Sequence, residues 1–179
     1  MKKVVKFGGS SLASAKQFRK VGDIIRADKS RRYVVPSAPG KRNSRDTKVT
    51  DLLYQMYDAA GEKAPYGKIF SQIRERFEEI ITGLGLDLNL EDEFRRMEDN
   101  FVHQVGRDYA ASRGEYLSGK VMAAYLGFPF VDPAEMIVFH DDGTLDAEFT
   151  QKTVEEHLSG YDRAVIPGFY GAKRDGTVT

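Results

Sequence analysis

The sequence contains no cysteine, which excludes a disulfide framework and any thiolate metal site. Its three histidines, His103, His140 and His157, are scattered without metal-ligand spacing, so no metal-binding residue is expected. No apolar run approaches the length of a membrane span or a signal peptide. Excess charge of either sign is missing as well: 27 lysines and arginines stand against 27 aspartates and glutamates. A balanced chain builds no field for nucleic acid or anionic lipid, so neither nucleic acid nor membrane is expected as a partner. There is no repeat or low-complexity linker, and 179 residues suffice for one domain with a substantial core. What remains is the expectation of a soluble, cytoplasmic protein.

What the sequence does have begins near its N-terminus, with Val4-Val5-Lys6-Phe7-Gly8-Gly9-Ser10-Ser11. Val4 to Phe7 read as a strand, rich in β-branched and aromatic residues. Two consecutive glycines at a strand end let backbone N–H groups approach an anion, because no Cβ stands in the way. Lys6 sits just before them, where open α/β sheets place their ligands. A lysine beside exposed amides suits a phosphoryl group whose charge spreads during transfer. The order is the reverse of the Walker P-loop, in which the lysine follows the glycines.

Downstream, Ser14 with Gln17 three residues later predicts a helix start, and Phe18, Val21 and Ile25 continue it to about Asp28. Tyr33-Val34-Val35 predicts a buried strand ending in Pro36-Ser37-Ala38-Pro39-Gly40. Strand, helix, strand within this length is a βαβ unit and implies a parallel sheet. Residues 41–48 are polar and basic, and predict an exposed, mobile loop. Three helices follow, with apolar stripes at Val49, Leu52, Leu53, Met56 and Tyr57, then Ile69, Ile73, Phe77 and Ile80, then Leu90, Phe94, Met97 and Phe101. Those stripes suit a core or a subunit interface. Gly114-Glu115-Tyr116-Leu117-Ser118 predicts the opening of a further helix that ends at Gly127. Strands are expected at 128–132, 136–139 and 163–166, with a short helix at 149–158 between the last two. The fold class expected is α/β, a mainly parallel sheet with helices on both faces.

Four segments share one trait, an unusual turn or helix start at the end of an element. They are Lys6-Phe7-Gly8-Gly9-Ser10-Ser11, Ser37-Ala38-Pro39-Gly40, Gly114-Glu115-Tyr116-Leu117-Ser118 and Pro167-Gly168-Phe169-Tyr170-Gly171. In this order and at these separations they resemble the aspartate kinases of the amino-acid kinase family. Lys48-Val49-Thr50-Asp51-Leu52-Leu53, Ala124-Tyr125-Leu126-Gly127 and Val131-Asp132 strengthen the match, which runs the length of the chain.

The resemblance implies roles residue by residue. Lys6, Gly8 and Gly9 match phosphate-holding positions, Lys6 being the catalytic residue that stabilises the transferred γ-phosphoryl, and Ser10 lies in the same nucleotide-facing turn. Ser37 and Thr50 match hydroxyls near the aspartate substrate, and Ala38 lends it backbone contacts. Glu115 matches the carboxylate that receives the α-ammonium, and Phe169 the aromatic that closes over aspartate. The reaction implied is phosphorylation of the β-carboxylate of L-aspartate by ATP, with Mg2+ on the nucleotide. It is the first step towards lysine, threonine and methionine, in an enzyme expected to be a homo-oligomer. Taken singly, Ser37 and Thr50 read more readily as helix caps, and Glu115 also suits a first helical turn and Phe169 a core.

The family carries a Gly-Arg-Gly-Gly-Ser-Asp segment shortly after the glycine-phenylalanine turn, and this sequence ends at Thr179. The expectation is therefore that residues 1–179 are the N-terminal portion of an amino-acid kinase catalytic domain, inactive alone. On that expectation the remainder of the nucleotide site and the regulatory ACT domains lie outside the chain, and the sheet is open where the missing half packs. Alternatives are a glutamate or acetylglutamate kinase, or a non-catalytic binding or assembly fragment.

Overall fold

The computed structural model describes residues 1–179. The chain runs β1 (Lys3–Phe7), α1 (Ala15–Arg26), β2 (Arg31–Pro36), α2 (Val49–Gly61), α3 (Gly67–Gly83), α4 (Glu91–Val102), α5 (Arg107–Leu126), β3 (Val138–Phe139), α6 (Ala147–Leu158), β4 (Ala164–Val165) and β5 (Ala172–Lys173). Single 3-10 turns cover Gly9–Leu12 and Pro133–Glu135. β1, β2 and β4 form a parallel sheet in the order β1-β2-β4, with Val5 opposite Val34 and Phe7 opposite Pro36. β3 and β5 make a second parallel pair.

Strand alternation assigns the two faces of the main sheet. Val5, Phe7, Val34 and Val165 pack with the helical core built from Phe18, Leu53, Phe77, Phe94, Phe101 and Val121. Tyr33, Ala164 and Ile166 face a smaller cluster with Val131, Met136 and, from α6, Val154 and Leu158. Helices thus lie on both faces, as expected, although most belong to one. At β1 the second face is uncovered, and Val4 is 68% exposed.

Local chemistry accounts for most boundaries. Ser14 Oγ accepts the Gln17 amide at 3.3 Å, the predicted N-cap of α1, while the Gln17 side chain donates to the Ser10 carbonyl rather than closing the box. α5 ends on Gly127 at φ +68°, in the left-handed conformation glycine adopts freely. The apolar stripes of α2, α3 and α4 are consumed inside the chain: Met56, Ile73, Phe77, Ile80, Phe94, Met97 and Phe101 are buried in its own core.

Three expectations need correction. Gly114 to Ser118 do not open a helix; they are the middle of α5, which starts at Arg107. A glycine inside a helix reads as a breaker from sequence, but a Cβ on Gly114 would stand 2.7 Å from the Cβ of Ala38, so its absence lets α5 press against the end of β2. The strand expected at 128–132 shrinks to a bridge between Phe130 and Val165. Pro129 has no N–H to extend the ladder, and Asp132 already caps the following 3-10 turn through the Ala134 amide. Residues 41–48 are mostly exposed as predicted, but they are pinned rather than merely solvated, as described below.

Candidate active site

Parallel β1 and β2 deliver their C-terminal ends side by side, and the turns that follow are stitched together. The Ser37 amide donates to the Phe7 carbonyl at 3.1 Å, prolonging the ladder, and the Gly40 amide donates to the Gly9 carbonyl at 2.8 Å. Beside this seam lies a cavity of about 470 Å³. Gly9, Ser10, Ser37, Ala38, Thr50 and Glu115, named from the sequence, line it together with Pro39, Gly40, Lys41 and Lys48.

Each wall has a local cause. Thr50 arrives because α2 starts at Val49, whose amide donates to the Pro39 carbonyl at 3.3 Å. Glu115 arrives because α5 is buried on every side from Ala110 to Gly119. Placing Arg113, Glu115, Ser112 and Ser118 in such a segment costs free energy unless they find partners. Glu115 is 8% exposed and its Oε2 accepts no hydrogen bond. Burial pushes its carboxyl pKa up, opposed by the Ala38 backbone amide, by its own amide and by the positive charge of Lys6. Glu115 lies more than two turns into α5, so it is not a first-turn acid interacting with the helix dipole.

Lys6 is exposed at the end of β1, and its charge reaches Glu115. Gly8 has φ −79°, and a Cβ built on it would meet no atom within 4 Å. It stands free of neighbours on that side. Phe169 does not line the cavity. It sits in the turn after β4, at φ +81° and 73% exposed, next to Gly168, whose amide donates to the Pro36 carbonyl at 3.2 Å. The core alternative for Phe169 is thereby excluded.

The pinned loop brings residues that the sequence reading passed over. Arg76, 3% exposed on α3, donates to the carbonyls of Gly40 at 2.6 Å and Thr47 at 2.9 Å, and lies 3.1 Å from Asp46. Arg42 grips Asp46 with two nitrogens at 2.8 and 3.0 Å and reaches Glu79 at 2.6 Å. The Arg42 hydrogen bonds, with the charge of Arg76 behind them, hold Asp46 well below the usual carboxylate range. Lys41 and Lys48 therefore project from a fixed loop into the cavity wall. A signal for Arg76 was available: it follows Ile73 by three residues and precedes Ile80 by four, a lone cation on an apolar stripe. No group of three or more His, Cys, Asp or Glu is arranged to hold a metal ion, and no helix is long and apolar enough to cross a membrane.

A wall of lysines, hydroxyls and glycine backbone facing a buried carboxylate with one unpartnered oxygen is suited to a zwitterion and a polyanion together. Known proteins resemble this chain along its whole length. The model of the amino acid kinase family matches residues 1–179. Aspartokinase 3 of Bacillus subtilis is 35% identical over 195 aligned residues, covering 98% of this chain and 42% of that protein. The crystal structure of Clostridium acetobutylicum aspartate kinase superposes with a TM-score of 0.96 at 42% identity, covering all of this chain and 42% of that one. Escherichia coli aspartokinase III, solved in complex with aspartate and ADP, superposes with a TM-score of 0.80 at 20% identity over the whole of this chain and 43% of its own, a likeness of fold. The chain thus spans about two fifths of the length of these relatives.

Proposed function

The chain belongs to the amino acid kinase family, and on that premise we propose that it forms the N-terminal part of the catalytic domain of an aspartate kinase. The complete protein would transfer the γ-phosphoryl group of ATP to the β-carboxylate of L-aspartate, giving 4-phospho-L-aspartate, the entry to lysine, threonine and methionine synthesis. The observation that carries this reading is the unpartnered Oε2 of Glu115, a buried carboxylate beside a cavity lined by Ser37, Thr50 and two lysines. Such a group calls for a cation, and the α-ammonium of an amino acid supplies one with hydrogen-bond donors.

The remaining residues fall into place around that anchor. A carboxylate is a weak nucleophile, so the protein's task is to align it and offset repulsion between two anions. Ser37, Thr50 and the Ala38 backbone position the amino acid. Lys6 and the amides of Gly8, Gly9 and Ser10 supply positive potential where charge develops on the transferred group. In this reading Mg2+ accompanies the nucleotide. Phe169 closes over the substrate from the neighbouring turn. The full-length protein is taken to self-associate and to work in the cytoplasm.

The test is a hydroxamate assay on the full-length gene product with aspartate, glutamate and N-acetylglutamate in parallel. Aspartate-dependent acyl phosphate is the expected result. Turnover of glutamate or acetylglutamate in preference to aspartate would move the protein to another branch of the family, and no acyl phosphate with any of them would leave a binding module.

A further inference from the structure

Phe169 holds a backbone conformation that its residue type disfavours, φ +81° on a non-glycine residue, and it presents its ring to solvent. Left to itself such a residue relaxes to negative φ and its ring swings away. The structure restrains it on both sides. Before it, the Gly168 amide is tied to the Pro36 carbonyl, and after it Gly171 and Thr179 exchange backbone hydrogen bonds at 2.9 and 3.1 Å. Tyr170 itself, 4% exposed, turns its ring inward from Phe169 and donates its hydroxyl to Asp132 Oδ1 at 2.9 Å.

The acceptor is itself fixed, because the same oxygen takes the Ala134 amide at 3.0 Å and caps the turn at Pro133–Glu135. The Tyr170 ring lies 5.5 Å from the guanidinium carbon of Arg113, which also covers Tyr116 at 4.2 Å and Tyr109 at 4.4 Å. Arg113 belongs to α5, the helix that carries Glu115. Burial, reinforced by the negative charge of Asp132, pushes the Tyr170 phenol pKa up, so its hydroxyl stays a donor.

We propose that Tyr170 is a positioning residue: its hydrogen bond to Asp132 holds Phe169 in the projecting left-handed pose, and so sets how readily the site closes over an amino-acid substrate. This rests on the reading of Phe169 as the closing aromatic. If the latch is cut, the competent pose is only fractionally populated, and apparent affinity falls by that fraction while the chemical step is untouched.

The experiment is a double-mutant cycle in the full-length protein. Tyr170→Phe should raise KM for aspartate by about five- to tenfold, with kcat and KM for ATP within about twofold of the unaltered protein. Phe169→Ala should raise KM for aspartate at least as much, and adding Tyr170→Phe to it should cost nothing more, since Tyr170 acts only through Phe169. Asp132→Asn, which keeps an acceptor oxygen, should leave KM near normal, whereas Asp132→Ala should copy Tyr170→Phe and replaces it should that variant fold poorly. Amide exchange at Gly168 and Gly171 should quicken in Tyr170→Phe without aspartate present. Unchanged KM in Tyr170→Phe, or losses that add in the double variant, would overturn the proposal while leaving the kinase reading intact. If the unaltered protein does not use aspartate, both fall together.

Discussion

The Gly40 amide donates to the Gly9 carbonyl at 2.8 Å, and a Cβ on Gly40 would stand 2.7 Å from the carbonyl carbon of Gly9. These two residues close the gap between the turns that follow β1 and β2, so that one continuous backbone surface floors the cavity. Arg76 holds the far side of that surface through the Gly40 carbonyl. The site is thus assembled by close approach of main chains, with side chains added at its rim.

That relationship separates the glycines by experiment. Gly40→Ala should lower stability by about 1–3 kcal/mol, because a Cβ must force two backbones apart. Gly8→Ala has open space and an allowed φ, so chemical denaturation should change by less than about 0.5 kcal/mol. Nucleotide KM in the full-length protein should rise nonetheless. A Gly8→Ala protein as unstable as Gly40→Ala would contradict the free space seen around Gly8.

On the proposed function, Lys6→Ala should cut kcat of the full-length protein by about a hundred- to a thousandfold, the scale for removing one group aimed at developing charge, with little change in KM for aspartate. Lys6 is exposed at the end of β1, so the melting temperature should hold. Turnover within about tenfold of the unaltered protein would remove Lys6 from the phosphoryl site.

Glu115→Gln should weaken aspartate binding by about ten- to a hundredfold, as for one charge-assisted hydrogen bond, and should also stabilise the chain. The carboxyl's folded-state pKa lies above its usual 4.5, chiefly through burial. Its favourable contribution to folding is therefore complete below the unfolded value and is lost as pH rises through the folded one. At neutral pH the charged form costs stability that glutamine does not. Melting curves should show Glu115→Gln ahead at pH 7, with the advantage shrinking as pH falls towards 4. A variant less stable at pH 7 would mean that the backbone amides and Lys6 outweigh the burial of the Glu115 charge.

Arg76→Met should cost about 3 kcal/mol by urea denaturation, since it strips the carbonyls of Gly40 and Thr47 and one partner of Asp46. Arg76→Lys should recover only part, having no planar fork to span two carbonyls. Limited proteolysis should then cut first within residues 41–48. Resistance equal to the unaltered chain would show that Arg42 alone pins the loop.

Residues 1–179 alone should show no aspartate-dependent acyl phosphate above a Lys6→Ala background, because alignment supplies much of the rate in phosphoryl transfer and the chain spans only about two fifths of its relatives. Activity above background would place a complete reacting centre inside this chain.

Much of this architecture is written in local pattern. Val4 to Phe7 and Tyr33 to Val35 have the composition of strands, Ser14 caps its helix, Gly127 ends one, and the stripes at Val49, Ile69 and Leu90 keep helical spacing. Each is decided within a few residues of itself, by propensity, capping and periodicity. The same holds for the glycine turn at Gly8-Gly9, whereas Ser37, Ala38, Thr50 and Glu115, which also line the cavity, are picked out only by the resemblance to a family.

What the pattern could not decide depends on atoms far away in sequence. Gly114 reads as a helix start because glycine destabilises a helix interior, yet α5 runs through it, since burial against Ala38 and Leu53 outweighs that cost. The run 41–48 reads as solvated charge, and only Arg76, twenty-eight or more residues on, shows that it is fastened. Phe169 reads as core or closing aromatic; its exposure and positive φ follow from anchors at Pro36, Asp132 and Thr179. The sequence by itself determined the strands at Val4–Phe7 and Tyr33–Val35, the helical stripes and the glycine turn after β1, because those are short-range preferences. Only the tertiary structure decided that Glu115 is buried with its Oε2 unpartnered beside Lys41, Lys48 and Thr50, because desolvation and the lack of a donor at one oxygen are properties of the assembled chain.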